Sequence, residues 1–147
     1  MHLPPNAAIL VADGRKMLFL RNKGDATHPN LVVESGEEQK NPADHEQGSD
    51  SPGRSVSHDG SRRSAMDEGD YHQKAEDRFA ADAAAMLKER AMAKDFEALI
   101  VIAPPHTLGE LRKHYHSAVS ARIIGELDKD LTGHPVAYIE SAIKAAE

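Results

Sequence analysis

Short apolar runs in the first quarter of the chain predict three strands joined by tight turns. Residues 7–12 form an uninterrupted apolar run, and residues 17–20 form another. Asp13 and Gly14 lie between them, and an Asp-Gly pair between apolar runs favours a hairpin because both residues tolerate the positive φ of tight turns. Residues 30–38 begin with aliphatic side chains and continue with polar ones, which indicates a third strand close to an edge of the sheet.

The second half of the chain alternates between helical and strand patterns. From near Asp70 to about Lys94, apolar side chains recur at the spacing of one helical face, and the many alanines favour the same structure. Residues 99–103 are entirely apolar, as in a strand that is covered on both faces. The remaining predicted elements are a helix over residues 107–117, a strand over residues 121–127 and a last helix with Pro135 in its first turn.

The resulting order of elements, β-β-β-α-β-α-β-α, predicts an α/β fold. Crossovers between parallel strands are right-handed, so the economical arrangement is a mixed five-stranded sheet in the order 3-2-1-4-5. We therefore expect a three-layer domain of the ribonuclease H-like type. A chain of 147 residues has the usual size of one domain, so we assign residues 1–147 to a single domain.

A long polar loop is predicted over residues 39–69, where glycine, serine, proline and charged residues show no apolar period. Loops of this length in compact domains are usually functional or disordered. Arg54, Arg62 and Arg63 lie just before the predicted helix, whose unpaired N–H groups and dipole favour an anion. The loop therefore predicts a phosphate or RNA site made of Arg54, Ser55, His58, Arg62, Arg63 and Lys74. The alternative is that the three arginines only offset the acidic residues of their own loop.

Composition narrows the chemistry further. The net charge of −6 requires that any RNA contact comes from a local basic patch. The absence of cysteine excludes disulfides, thiolate metal sites and a cysteine nucleophile. The apolar run at residues 7–12 is too short for a signal peptide or a membrane span, so we expect a cytoplasmic protein without a membrane partner. The sequence assigns no oligomeric state.

A second constellation is acidic. Asp13, Asp128 and Asp130 are predicted to follow strands that end at one edge of the sheet, and carboxylates around Mg²⁺ can activate water in nucleases. The Asp-Gly turn already accounts for Asp13, however, and His106, His114 and His116 do not share one helical face, because neighbours two apart point in different directions. We therefore assign no catalytic residue, no metal and no cofactor.

Several segments in combination resemble the bacterial host attachment proteins. They are PGRSVSHDGSRRSAM at residues 52–66, LIVIAPPHTLGELR at residues 99–112 and ELDKDLTGHP at residues 126–135. The resemblance implies kinship with the middle domain of archaeal and eukaryotic peptide-chain release factors, which has a ribonuclease H-like fold. In those factors the loop after the third strand carries a Gly-Gly-Gln tripeptide, and this chain has no Gly-Gly pair.

These observations favour a non-enzymatic binding module whose partner is RNA or the ribosome. One alternative is an enzyme, either a metal-dependent nuclease or a relic peptidyl-tRNA hydrolase. The other is an adhesion or host-interaction protein without catalysis.

Overall fold

A computed structural model of the protein describes residues 1–38 and 57–146, with side chains described for residues 1–38 and 72–146. The described elements, in chain order, are β1 (Ala8–Ala12), β2 (Lys16–Asn22), β3 (Leu31–Glu38), α1 (Ser57–Met92), β4 (Leu99–Ile102), α2 (Pro105–His114), α3 (Ser117–Ser120), β5 (Ile123–Leu127) and α4 (Val136–Ala145).

The strands form one five-stranded sheet in the order β3-β2-β1-β4-β5. β1 and β2 are antiparallel, as are β2 and β3. β4 pairs in parallel with both β1 and β5. The predicted mixed sheet and its strand order are thereby confirmed, including the position of β3 at an edge.

The turn between β1 and β2 is present, but its physical basis differs from the expected one. Neither Asp13 nor Gly14 has a positive φ. Instead, the Asp13 carboxylate accepts hydrogen bonds at 2.7 Å from the backbone N–H groups of Arg15 and Lys16. A Cβ at position 14 would lie 2.6 Å from Cδ of Glu76, so the glycine makes room for this side chain of α1 beside the turn.

Helices cover both faces of the sheet because the inner strands are apolar on both sides. Along β1, Leu10 faces α1, α2 and α3, whereas Ile9 faces α4. Buried side chains of α1 on the first face include Phe79, Ala83, Ala84 and Leu87. Ile139 and Ile143 of α4 pack on the second face. The domain therefore has three layers, helix–sheet–helix.

Two helices differ from their predicted bounds. α1 begins at Ser57 and not near Asp70, so residues 57–69 of the predicted loop are helical. This segment has no apolar period, but a helix already anchored by packing gains one backbone hydrogen bond for each residue added. The predicted helix over residues 107–117 ends at His114, because Tyr115 is extended, and His116 then caps α3 by accepting a hydrogen bond from the N–H of Ala118.

Candidate functional site at the carboxyl edge of the sheet

The carboxyl ends of four strands share one edge of the sheet. β1 and β3 are both antiparallel to β2, so they run in the same direction. β4 is parallel to β1, and β5 is parallel to β4, so all four strands point the same way. Ligands of open α/β sheets are commonly bound at such an edge. We call this edge, with the turns that follow these strands and the adjoining parts of α1, α2 and α4, the carboxyl edge.

Thr132 joins two of the three aspartates that the sequence places at the carboxyl edge. Its Oγ1 donates to Oδ2 of Asp13 at 2.7 Å and lies 3.3 Å from Oδ1 of Asp130. A hydroxyl has one proton, so the shorter contact to Asp13 is the principal one. Asp13 thus accepts hydrogen bonds from its own turn with one carboxylate oxygen and from Thr132 with the other. Thr132 is 7% exposed. The role of Asp13 is to fasten the turn after β1 to the segment after β5.

Asp128 is exposed and does not join this pair. Among the described residues, Asp13, Asp128 and Asp130 do not gather at the spacing of a metal site. The acidic magnesium constellation considered from the sequence is therefore not assembled here. The physical reason is that Asp13 is committed to the turn and to Thr132.

A second polar group connects α1 to α2. Nε2 of His106 lies 3.4 Å from Oδ1 of Asp77, and Nε2 of Gln73 lies 2.6 Å from the same imidazole nitrogen. The Gln73 amide also donates to Oδ1 of Asp77 at 2.9 Å. Glu110, one turn after His106, completes a group in which one ligand atom each of Asp77, His106 and Glu110 lies within 4.8 Å of the other two.

An aromatic pair lies beyond the segment that follows β5. The rings of His134 and Tyr138 stack with centroids 4.3 Å apart and planes inclined by 23°. Tyr138 is 50% exposed. The pair therefore presents flat ring surface to solvent close to Thr132 in the chain. The sequence pattern does not predict this pair, because His134 precedes α4 and the helical i, i+4 spacing does not apply to it.

The sequence model of bacterial archaeo-eukaryotic release factor family 12 matches residues 6–143. The chain belongs to this family. The match runs from β1 into α4 and confirms the predicted kinship with release factors. Comparison with curated proteins gives no match. In the described part of this family 12 protein, no helix is both long and apolar enough to cross a lipid bilayer.

The predicted phosphate-binding residues of the family 12 protein fall largely on the connection from β3 to α1. Arg54 and Ser55 lie outside the described residues. The helix α1 includes His58, Arg62 and Arg63, of which the structure describes the backbone but not the side chains. They are thus helical residues and not loop residues. Lys74 is exposed further along the same helix.

A cavity lies at the opposite end of the sheet. It has a volume of about 710 Å³ and is lined in part by Arg21, Glu34 and Asp95. Arg21 is 6% exposed and donates to both oxygens of Glu34 and to the side chain and carbonyl of Asp95. Because these partners engage all three guanidinium nitrogens, the polar groups of this cavity serve to hold the sheet and its connections together.

Proposed function

We propose that this family 12 protein is a non-catalytic RNA-binding module of translation, which contacts ribosomal or other structured RNA through its carboxyl edge. The observation that carries the proposal is that, in a member of a release-factor family, β3 ends at this edge and the segment with Arg54, Arg62 and Arg63 follows it in the sequence. The ribonuclease H-like fold and a cytoplasmic location belong to the same proposal. The strand order and the helices on both faces support the fold.

Phosphate contact is the role that we assign to the basic residues. Arg54, Arg62 and Arg63 supply planar guanidinium groups, which bind phosphate oxygens in pairs. The N-terminal N–H groups of α1, which begins at Ser57, also favour an anion. Ser55, His58 and Lys74 add hydrogen-bond donors along the connection and the helix. Phosphate contacts of this kind give affinity and strong salt dependence without sequence preference.

Base stacking is the role that we assign to His134 and Tyr138. Unpaired RNA bases commonly stack on exposed aromatic side chains, whereas bases within a duplex are not available for such contacts. The stacked pair is held open to solvent beside the carboxyl edge. We therefore expect the protein to prefer RNA in which an unpaired loop adjoins a structured region.

Hydrolysis is not part of the proposal. The Gly-Gly-Gln tripeptide is absent from the sequence, which removes the group that the distant relatives bring to peptidyl-tRNA. A nuclease based on the three aspartates is disfavoured because Asp13 is already engaged with its turn and with Thr132. The adhesion hypothesis stays a prediction, and no contact among the described residues bears on it.

The proposal is tested by binding to purified ribosomes and to a stem-loop RNA over a range of salt concentrations. Replacing Arg54, Arg62 and Arg63 by alanine should weaken binding and lower the slope of log K against log salt by about 0.7–0.9 for each lost phosphate contact. A matched variant, with Lys23, Lys88 and Lys144 replaced by alanine, loses the same charge at exposed positions away from the carboxyl edge and should bind nearly as the wild type does.

The same assay separates stacking from charge. The double variant H134A/Y138A should lose affinity for the stem-loop with little change in salt slope, because stacked bases contribute about 1–3 kcal/mol each independently of counterion release. Binding that is independent of salt, or equal in the arginine variant and the wild type, would overturn the proposal.

A further inference from the structure

Asp77, His106 and Glu110 have the donor spacing of a metal site. Nε2 of His106 and Oδ1 of Asp77 are 3.4 Å apart. In a tetrahedral zinc site with bonds of about 2.0–2.1 Å, neighbouring donor atoms are separated by about 3.3–3.4 Å. A ligand atom of Glu110 lies within 4.8 Å of both, and a metal ion would draw this third donor closer by rotation of its side chain.

The direction of the lone pairs is defined by Gln73. Asp77 carries no donor when ionised, so the Gln73 group 2.9 Å from its Oδ1 is the amide nitrogen. The same amide nitrogen lies 2.6 Å from Nε2 of His106. Nε2 of His106 must therefore accept a hydrogen bond from this amide, so the proton of the neutral imidazole is assigned to Nδ1. The lone pairs of Nε2 of His106 and of Oδ1 of Asp77 thus both point at the amide group of Gln73, which lies where a cation would otherwise bind.

Rigid elements hold the three side chains. His106 and Glu110 are separated by four residues on α2, which places them on one helical face. Buried Thr107, Leu108 and Leu111 fix this helix against the core. On α1, Asp77 is followed by Phe79, which is also buried. The site is therefore set by helix packing and does not depend on a loop.

We propose that Asp77, His106 and Glu110 bind a divalent transition-metal ion, with Zn²⁺ as the best match. One imidazole and two carboxylates suit a borderline ion better than Mg²⁺ or Ca²⁺, which favour oxygen ligands alone. Three protein ligands leave the fourth tetrahedral position for water. Lys113 binds Oε2 of Glu110 at 2.8 Å and orients this carboxylate, as outer partners of metal ligands commonly do. The proposal is independent of RNA binding.

Metal binding is tested with the full chain after dialysis against a chelator. Titration with Co²⁺ should give one equivalent with the intense visible absorption of a tetrahedral site, and Zn²⁺ should abolish this absorption by displacement. The variants D77N, H106A and E110Q should each weaken Co²⁺ binding at least about tenfold. Thermal unfolding verifies that each variant is folded, and the side chain of His106 is 57% exposed, which favours tolerance of its removal.

Two controls make the result specific. The chain has nine histidines, so H114A, which removes an exposed imidazole from the same helix, should leave Co²⁺ binding unchanged. Q73A removes the amide that competes for the two lone pairs and should bind Co²⁺ as tightly as the wild type or more tightly. No tetrahedral absorption in the wild type, or equal binding by H106A and the wild type, would show a hydrogen-bonded helix contact only and overturn the proposal.

Discussion

Tyr115 places its hydroxyl in a buried position between α2 and α3. Its Oη has no hydrogen-bond partner among the described residues. Burial raises the pKa of this hydroxyl, and the negative charge of Glu126 adds to the effect. Glu126 lies near this hydroxyl, but no hydrogen bond of normal geometry joins the two, and Oε1 of Glu126 accepts from two N–H groups of Arg112 at 3.0 and 2.6 Å. The ring of Tyr115 therefore contributes packing, whereas its hydroxyl carries an uncompensated desolvation cost.

Replacement of Tyr115 by phenylalanine should for this reason stabilise the protein. An unsatisfied buried polar group costs about 1–3 kcal/mol, so we expect the free energy of unfolding to rise by about 1 kcal/mol, measured by urea denaturation. The matched variant Y138F removes a hydroxyl from a residue that is 50% exposed and should leave stability unchanged. A loss of stability in Y115F would mean that the hydroxyl has a partner in solution.

At the scale of elements, α1 packs on one face of the sheet through buried side chains. Its buried face is rich in alanine, which lets the helix lie close to the strands, and Leu87 is a fully buried large side chain of that face. L87A should lower the free energy of unfolding by about 2–5 kcal/mol, because it removes buried apolar surface and leaves a cavity. Urea denaturation measures the change. K88A alters the adjacent exposed residue and should change stability little, and a similarly small effect of L87A would contradict this packing.

The sheet could be predicted from the sequence because its signals are local. Continuous apolar runs mark β1 and β4, and the Asp-Gly turn defines the first hairpin. The start of α1 could not be predicted, since residues 57–69 have no apolar face. The helix extends through them because its later turns are stabilised by packing on the sheet. At the carboxyl edge, the spacing of His106 and Glu110 on α2 is visible in the sequence. Their approach to Asp77 arises from the packing of α1 on α2, which no local pattern records.

At the scale of the whole molecule, the carboxyl edge carries the proposed ligand sites, and the opposite end carries structural polar groups. Arg21 of β2 joins Glu34 of β3 to Asp95, which precedes β4, and Arg90 of α1 also binds Asp95 at 3.0 Å. Burial opposes the charge of Arg21, but the hydrogen bonds that it donates to Glu34 and Asp95 outweigh this effect and raise the pKa of its guanidinium. This cluster ties two strands, the long helix and the connection into β4.

The cluster makes stability depend on pH through Asp95. Burial acts to raise the pKa of Asp95, but hydrogen bonds from Arg21 and Arg90 outweigh it and lower the pKa below its usual 3.8. A carboxyl whose pKa is lower in the folded state stabilises the fold above its unfolded pKa, and this stabilisation is lost as the pH falls through the folded value. D95N should therefore be less stable than the wild type at pH 7, and the difference should shrink as the pH falls below about 4.

Urea denaturation of both proteins between pH 7 and pH 2.5 measures this difference directly. D82N, which changes an exposed aspartate on α1, serves as the control and should follow the wild type across the range. The loss in D95N at neutral pH also reflects the partial loss of partners for Arg21, which is buried and keeps its charge throughout. The decrease in the stability difference between D95N and the wild type at acidic pH therefore reports on the ionisation of Asp95. A difference between D95N and the wild type that is constant with pH would show that the Asp95 charge does not hold this end of the sheet together.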